Sequence, residues 1–467
     1  MNKEKTFLKN TSIIVIGKIC TQCVSFFLLP LYTAVLSTSD YGVVDLLNTY
    51  ITLLLPIASL QMEQGFFRFL VDAREDEERK NSIFATAFWG LSASTLLFSI
   101  ILAAVVVWLK IPYGGFLIIN IMISCYSSNM LGAARGLGLY GIYSIGSFLI
   151  GVTTIVFNVV FIVFFKMNAM GMLLAYFCAN FIGAIFCFFK LRSIAMLTKE
   201  KFKIEVYREI LKYTLPLIPN TISWWVINAS DRTIVSMVLG IAANGIYSVA
   251  NKFSGVYITV YSLFNMTLTE NVILYSKSDS GKEFLTRIMD GYIRFFSCIC
   301  LGIIACMPFV FPYMVNTQFS DSYRQIPILM IATMFNVYVG LCTTLYVAQK
   351  KSGQIARYAV MSAIVNVAIN LSTIKFIGLY AASISTCVSY ALTATMMYID
   401  LKKTDNMIDI DLKYLLLFFL VLIATIGTYY KENTMLHILT LIAVFVFSLL
   451  SIKKYWNQVD IEIKKKS

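Results

Sequence analysis

Runs of apolar residues long enough to cross a bilayer recur along nearly the whole chain, and short polar stretches separate them. A membrane-spanning helix needs about 20 mostly apolar residues, and fourteen segments meet this requirement. They cover residues 11–36, 44–70, 82–109, 115–134, 141–165, 169–189, 214–239, 246–275, 291–315, 326–348, 357–377, 379–400, 413–430 and 434–452. The pattern predicts an all-α integral membrane protein with about 14 transmembrane helices.

The composition agrees with a protein that is embedded in lipid. Hydrophobic residues make up 58% of the chain and charged residues 13%, whereas about 25% of the residues of an ordinary soluble domain are charged. The net charge of +13 could suit nucleic acid, but nucleic-acid-binding proteins gather their basic residues in one patch or stripe. Here the basic residues are spread over the polar stretches, so we expect a lipid bilayer as partner and no nucleic acid.

The basic residues also sort by side of the membrane. If the N-terminus is cytoplasmic, 30 of the 38 lysines and arginines fall on the cytoplasmic side. The basic residues elsewhere are Lys110, Lys166, Arg324, Lys375 and Lys431 on the outer side, and Lys18, Arg232 and Lys252 within spans. Cytoplasmic loops carry such an excess of positive charge, so we expect a multi-pass protein with both termini in the cytoplasm. The first apolar run is too long for a cleavable signal peptide.

Cysteine and histidine usage gives no sign of a metal or redox site. All ten cysteines fall within apolar runs, where cysteine behaves as a small buried hydrophobe. The C-x-x-C at Cys20 and Cys23 has no histidine or further cysteine nearby to complete a ligand set. We therefore expect no metal and no bound cofactor.

An internal repeat organises the chain. At a constant offset, the segment Leu36 to Asn48 lies over Leu239 to Asn251, which pairs Gly42 with Gly245. The sequence therefore predicts two six-helix lobes, residues 1–200 and 201–400, followed by two helices and a cytoplasmic tail in residues 401–467. Six is even, so the copies would share one orientation, as in transporters whose substrate site lies between parallel repeats. The alternative is a chance match of short apolar strings.

The connection between the two copies, Lys190 to Tyr213, combines basic and apolar residues. We expect an amphipathic helix there that lies on the membrane surface and bridges the lobes.

Polar residues inside the spans are the candidates for function, because ionisable groups in the hydrocarbon region are costly and normally face a cavity or a partner. The candidates are Lys18 and Gln22 in helix 1, Glu63 in helix 2, Asn228, Asp231 and Arg232 in helix 7, and Asn251 and Lys252 in helix 8. Each has a structural alternative. Lys18 and Lys252 could extend to the membrane interface, and Asp231 and Arg232 could neutralise each other and fix helix packing.

The segment Leu215 to Phe253, LPLIPNTISWWVINASDRTIVSMVLGIAANGIYSVANKF, resembles the seventh and eighth helices of bacterial lipid-linked oligosaccharide flippases. These are the O-antigen (lipopolysaccharide) and capsule repeat-unit exporters of the multidrug/oligosaccharidyl-lipid/polysaccharide (MOP) superfamily. The strings LSTSDYGVVDL, LQMEQGFFRFL and ARGLGLYGIYS support the resemblance. Many members have twelve helices, whereas cell-wall-precursor and spore-wall relatives often have fourteen.

The resemblance implies a MATE-like pair of lobes around a cationic cavity that opens to each side of the bacterial cytoplasmic membrane in turn. It also implies a polyprenyl-pyrophosphate glycan as substrate, with polysaccharide polymerase and other assembly proteins as candidate partners. We assign substrate binding to Lys18, Gln22, Asn228, Arg232, Asn251 and Lys252, and coupling to H⁺ or Na⁺ to Asp231 or Glu63.

Two other transport functions and an enzyme are the alternatives. The first is an exporter of lipid-linked cell-wall or spore-wall precursors. A multidrug or cation antiporter fits less well, because its cavity would be rich in acidic residues. A membrane enzyme would need clustered acids and histidines, but His437 is the single histidine, so we expect no catalytic residues.

Overall fold

The computed structural model describes residues 24–466 apart from 25, 194–195, 198–201, 276–278, 350 and 405–410. The described residues form helices joined by short turns, with no strand among them. The predicted all-α class is therefore confirmed. Contacts divide the chain into two compact units, Met1–Thr233 and Ile234–Ser467, which are described separately below. The predicted division at residues 200 and 400 stays a prediction.

The described residues of unit 1 form eight complete helices and most of a ninth. They are α1 (Leu29–Val35), α2 (Thr38–Ala58), α3 (Met62–Asp72), α4 (Glu77–Leu109), α5 (Gly114–Gly136), α6 (Tyr140–Asn158), α7 (Asn168–Lys190), α8 (Ile204–Thr214) and α9 (Leu217–Val238). A π-helical turn, Val159–Phe164, continues α6.

In unit 2, the part of the chain that the structure describes forms seven helices after the end of α9. They are α10 (Ile241–Tyr275), α11 (Asp279–Met314), α12 (Asp321–Ala348), α13 (Ser352–Ile377), α14 (Tyr380–Thr404), α15 (Leu412–Tyr429) and α16 (Thr434–Lys466). A short 3₁₀ turn, Thr317–Phe319, joins α11 to α12.

The helices match the spans predicted from the sequence. Among the described residues, ten helices are long and apolar enough to cross a membrane, and Lys413–Tyr429 is a shorter apolar helix. Each predicted span from the second to the fourteenth coincides with a described helix or pair of helices. Most of the first span, residues 11–36, lies outside the described residues.

Side-chain caps fix where several spans begin. The Ser37 hydroxyl accepts a hydrogen bond from the Asp40 amide at 3.0 Å, and the Asp76 carboxylate accepts one from the Arg79 amide at 2.9 Å. Asp411 caps α15 in the same way. These caps satisfy amide groups that the first turn of a helix leaves without partners.

Both units repeat one packing pattern at an offset of six spans. In unit 1 the fourth span, α5, packs against the second (α2 and α3), third (α4) and sixth (α7) spans, and α6 packs against α7. In unit 2 the tenth span, α12, packs against the eighth (α10), ninth (α11) and twelfth (α14), and α13 packs against α14. The pattern supports the parallel six-helix repeat that the sequence predicts.

The second span is broken, whereas the sequence predicts one continuous helix. α2 ends at Ala58 and α3 begins at Met62. Leu60 and Gln61 between them have φ of 50° and 56°, a left-handed conformation that costs a non-glycine residue about 1–3 kcal/mol. Pro56 lies inside the last turn of α2, where it has no amide hydrogen to donate.

The predicted amphipathic connection contains α8. Ile210 and Thr214 of this helix are buried, and Glu205, Arg208 and Lys212 are exposed. The buried side of α8 packs against α3 and α4. α8 therefore covers the inner segment of the broken span.

A buried charge network joins α15 to the rest of unit 2. Arg294 of α11 donates hydrogen bonds to Asp290 at 2.7 Å and to Asp411 at 3.0 Å. Its guanidinium also lies 4.3 Å from the ring centre of Tyr414. Since Asp411 caps α15, this one arginine connects the start of α15 to the side of α11.

Candidate functional site

Arg232 of α9 and Asp45 of α2 form an ion pair inside unit 1. The Nε atom of Arg232 lies 3.0 Å from the Oδ2 atom of Asp45. The Nε atom makes no hydrogen bond within the described residues, so its contact with Asp45 is an ion pair. The side chains are 25% and 12% exposed, which is low enough to weaken screening by water.

Two hydrogen bonds extend this contact along the second span. Trp225 donates from Nε1 to the Thr49 carbonyl at 2.9 Å, and Gln61 donates from Nε2 to the Thr221 hydroxyl at 2.7 Å. Gln61 lies at the break between α2 and α3. Polar contacts therefore join α9 to both the helical part and the break of the second span.

The ion pair lies well inside the helices. Asp45 is seven residues from the start of α2 and Arg232 is six residues from the end of α9, or about 10 Å at 1.5 Å per residue. These are the helix ends that the charge distribution places on the outer side. The pair therefore lies in the outer half of the predicted membrane region.

Buried oxygens without partners occur close to both charged residues in the sequence. The side-chain oxygens of Asn48, Ser230 and Thr233 are buried and have no hydrogen-bond partner in the described part of the chain. Buried polar atoms normally have such a partner. This part of unit 1 can therefore bind water or the polar groups of a ligand.

Glu63 lies just after the break, at the start of α3. Gly132 of α5 allows this approach, because a Cβ atom at that position would be 2.9 Å from Glu63 Cγ and 3.1 Å from its carbonyl oxygen. Gly136, one turn later, would bring a Cβ atom within 3.1 Å of two carbonyl oxygens of α3. Pairs of small residues four apart permit this close packing of membrane helices.

The carboxylate of Glu63 has one basic neighbour with an electrostatic effect on it, Arg135 of α5. Within the described residues, no salt bridge or hydrogen bond to this carboxylate is present. Arg135 lies 4.4 Å from the ring centre of Phe67. Glu63 is thus a partly buried acid with a cation nearby, and no ion pair between them is present within the described residues.

The other face of α3 is polar and exposed. Gln64 and Arg68 are four residues apart and both exposed, and Arg68 pairs with Asp72 at 2.5 Å. The sequence predicts that Gln61, Gln64 and Arg68 share one face. In the structure, Gln61 lies in the left-handed turn before α3 and bonds to Thr221, whereas Gln64 and Arg68 are exposed.

The remaining predicted residues divide between the units and the undescribed segments. Lys18 and Gln22 lie outside the described residues, as does the side chain of Asn228. In unit 2, Asn251 donates to the Tyr247 carbonyl of its own helix at 2.9 Å, and Lys252 is half-buried. Asp231 is buried, with 5% of its surface exposed. Among the described residues, Asp45 is the partner that the structure places against Arg232.

Sequence reasoning missed Asp45, the partner of Arg232. The signal was present, because Asp45 falls inside the predicted second span and inside the repeated segment Leu36 to Asn48. An acid at this depth requires a partner. Only the fold shows that the partner is on the seventh span.

A family model described as "Polysaccharide biosynthesis protein" matches residues 7–269, which is more than half of the chain. A comparison with curated proteins finds no match.

Solved structures share the fold at low sequence identity. The lipid II flippase MurJ, in an inward closed conformation, is 14% identical, with a TM-score of 0.71 over 96% of this chain and 99% of that chain. An inward-facing MATE multidrug resistance transporter of the MOP superfamily is 13% identical, with a TM-score of 0.66 over 84% and 99%. A MOP superfamily transporter from Pyrococcus furiosus is 12% identical, with a TM-score of 0.52 over 85% and 95%. The family resemblance drawn from the sequence and the MATE-like fold that it implies are confirmed.

Proposed function

We propose that this chain, which belongs to the polysaccharide biosynthesis protein family, is a flippase that moves a polyprenyl-pyrophosphate-linked oligosaccharide from the cytoplasmic to the outer leaflet. The family match over residues 7–269 is the observation that carries the proposal. The fold of the MOP superfamily and the multi-pass membrane architecture support it. The product would supply surface polysaccharide synthesis, with a polymerase as the downstream partner.

The substrate sets three physical requirements. Its polyprenyl tail can stay in lipid, its glycan has to avoid lipid, and its pyrophosphate is an anion that needs a compensating charge. A polar group moved into hydrocarbon without partners costs several kcal/mol. The protein therefore has to provide a hydrated path and fixed cations.

Arg232 is our candidate for the cation in the outer half of the path. In the structure its charge is compensated by Asp45, so an arriving pyrophosphate would have to replace that carboxylate. The exchange keeps Arg232 paired throughout, which avoids an isolated charge in a low-dielectric region. The unpartnered oxygens of Asn48, Ser230 and Thr233 could then bind glycan hydroxyls.

We assign the other cationic positions from the sequence. Lys18 would receive the anion on the cytoplasmic side, with Gln22 beside it. Lys252 would act in the outer half, and Asn228 and Asn251 would bind glycan. The exposed polar face of α3, with Gln64 and Arg68, supports a hydrated route, because charged residues within spans normally face water or a partner.

Coupling to an ion gradient is a further part of the proposal. Glu63 is partly buried, contacts α5 and lacks a salt bridge within the described residues. Such a carboxylate can exchange a proton or Na⁺ as its surroundings change. Asp231 is the second candidate because it is buried next to Arg232 in the sequence. Movement would follow alternating access between the lobes 1–200 and 201–400.

Export of a lipid-linked cell-wall precursor is the second candidate function. MurJ matches 96% of this chain, whereas the MATE transporter matches 84%. The lipid II flippase function named for MurJ makes a lipid-linked precursor the second candidate substrate. A relationship at 14% identity extends to the fold alone, so the glycan has to be determined by experiment.

The test uses a bacterial strain that lacks the protein, with lipid-linked glycan counted in each leaflet. The strain should accumulate the substrate in the inner leaflet, and the identity of the accumulated lipid separates a surface-polysaccharide unit from a cell-wall precursor. A variant with Lys18, Arg232 and Lys252 all changed to alanine should fail to restore transfer. A matched triple variant at Lys110, Lys166 and Lys375 should restore it.

Two results would contradict the proposal. The first is normal outer-leaflet glycan in the strain that lacks the protein. The second, normal transfer by a stably produced Lys18, Arg232 and Lys252 variant, would exclude the cationic path while leaving the flippase function in place.

A further inference from the structure

Four helices of unit 2 line an apolar slot that the proposed mechanism does not use. The slot lies between α11, α12, α14 and α15 and has a volume of about 480 Å³, within the range of roughly 300–1,000 Å³ found for ligand pockets. Its walls are mainly aliphatic and aromatic, and they include Met289, Ile293, Phe335, Ala391 and Leu415.

The few hydroxyl groups of the slot already have partners. Tyr338 is hydrogen-bonded to the Ser297 hydroxyl, and the Thr395 hydroxyl donates to the Ala391 carbonyl at 2.8 Å. A buried water needs two to four polar partners. The slot therefore suits a hydrocarbon chain better than water.

The slot is open to the lipid side of the helices. Leu392 of α14 and Phe419 of α15 both line it and are 46% and 36% exposed. Next to Phe419, Leu416 and Leu420 present further exposed apolar surface. In a membrane-spanning helix such a surface contacts lipid chains, so a chain from the bilayer can enter the slot sideways.

One lysine contacts a residue that lines the slot, and a second lysine lies close to the slot in the sequence. Tyr398 lines it, and Lys402, one turn later, lies with Nζ 3.3 Å from the Tyr398 hydroxyl and 5.7 Å from its ring centre. Lys413 is exposed and comes two residues before Leu415. Both lysines lie at span ends that the charge distribution places in the cytoplasm. Basic residues between helices at this depth bind anionic lipid head groups.

We propose that the slot binds one acyl chain of an anionic phospholipid from the cytoplasmic leaflet, with its phosphate at Lys402 and Lys413. The apolar walls would select a chain, and the two lysines would select the charge of the head group. The site is formed in part by α15, one of the two helices that follow the six-helix repeat. It is independent of the glycan that the protein exports.

The test measures lipids retained by the purified full chain in nanodiscs of equal parts phosphatidylglycerol and phosphatidylcholine, with native mass spectrometry as the readout. The wild type should retain phosphatidylglycerol in preference. Lys402→Gln and Lys413→Gln should each lower that preference about fivefold, the effect of one lysine near an anionic surface. Ala391→Phe should fill the slot and reduce retention of both lipids.

Matched controls are available in the same unit. Lys375→Gln changes an exposed lysine at the opposite ends of the spans, and Ala424→Phe adds the same ring to an exposed position of α15. Neither should change retention. The lysine variants alter only exposed side chains. If Ala391→Phe prevents folding, these variants still test the proposed lipid site.

Three outcomes would overturn the proposal. They are equal retention of the two lipids by the wild type, unchanged preference in both lysine variants, and retention of a polyprenyl phosphate in place of phospholipid by protein taken directly from cells.

Discussion

Arg232 on the seventh span is paired with Asp45 on the second at 3.0 Å. Its sequence neighbour Asp231 is the partner that simple inspection of the sequence favours. The observed pairing links two spans, and Trp225 and Gln61 add hydrogen bonds between the same spans. Compensation of the Arg232 charge by Asp45 therefore depends on the position of the second span.

Changing either partner should separate the role of Arg232 in transport from a role in packing. We expect Arg232→Gln to be produced at a normal level yet inactive, because the neutral amide cannot compensate a pyrophosphate. Asp45→Asn should keep partial transport, since Arg232 remains available to the anion. The measurement is outer-leaflet glycan per molecule of protein.

The double variant provides the control. If the pair serves packing alone, each single variant should lose expression, because an unpaired charge is left in a poorly solvated site, and Asp45→Asn with Arg232→Gln should restore both expression and transport. Full activity of well-expressed Arg232→Gln would contradict both roles.

The contact of α3 with α5 should be sensitive to one methyl group. At Gly132 a Cβ atom would lie 2.9 Å from Glu63 Cγ and 3.1 Å from a backbone oxygen. We expect Gly132→Ala to destabilise the protein by about 1–3 kcal/mol, the usual effect of overpacking. Thermal unfolding in detergent measures it.

Gly302 offers a matched control, because it also lies inside a helix but has nothing within 4 Å of the added Cβ position. Gly302→Ala should be neutral or stabilise the protein by up to about 1 kcal/mol, since alanine favours helix. Equal unfolding temperatures for the two variants would contradict the close approach at Gly132.

Loss of the network around Arg294 should lower the stability of the protein far more than loss of an exposed ion pair with the same spacing. Arg294→Gln leaves Asp290 and Asp411 without their cation in a site where the arginine side chain is 3% exposed. We expect a loss of about 3–5 kcal/mol, as for other broken buried pairs. Thermal unfolding and protease sensitivity near residue 411 are the measurements.

Arg68 and Asp72 give the comparison, because they have the same i, i+4 spacing as Arg294 and Asp290 but side chains that are 50% and 53% exposed. Arg68→Gln should cost less than about 1 kcal/mol. Similar losses at the two arginines would show that Arg294 does not anchor α15.

The orientation of the chain can be tested with single cysteines in a cysteine-free background. An impermeant maleimide should label Ser39→Cys and Asn433→Cys in intact cells, and Glu75→Cys and Lys403→Cys only after permeabilisation. All four positions are exposed. The expectation rests on the excess of basic residues on the side that includes Glu75 and Lys403. Labelling of Glu75→Cys in intact cells would show that the chain has the opposite orientation.

The sequence predicts the architecture well and the site poorly, for physical reasons. Membrane spans can be predicted because a run of about 20 apolar residues is typical of a membrane-spanning helix. Thirteen predicted spans accordingly coincide with described helices. The break at Leu60 and Gln61 was not predicted, since neither residue is a glycine. The partner of Arg232 was missed because pairing across spans depends on how helices pack.

The turn at Leu60 and Gln61 divides the second span into two short helices connected by a left-handed break. The outer helix, α2, carries Asp45. The inner helix, α3, packs closely against α5 at Gly132 and Gly136 and is covered by α8. A continuous helix would pass any tilt of its outer half directly to the inner half. In the proposed mechanism, this break would let the outer half move away from Arg232 while Glu63 stays in place, so that the proposed charge exchange and ion coupling would be separate steps of one cycle.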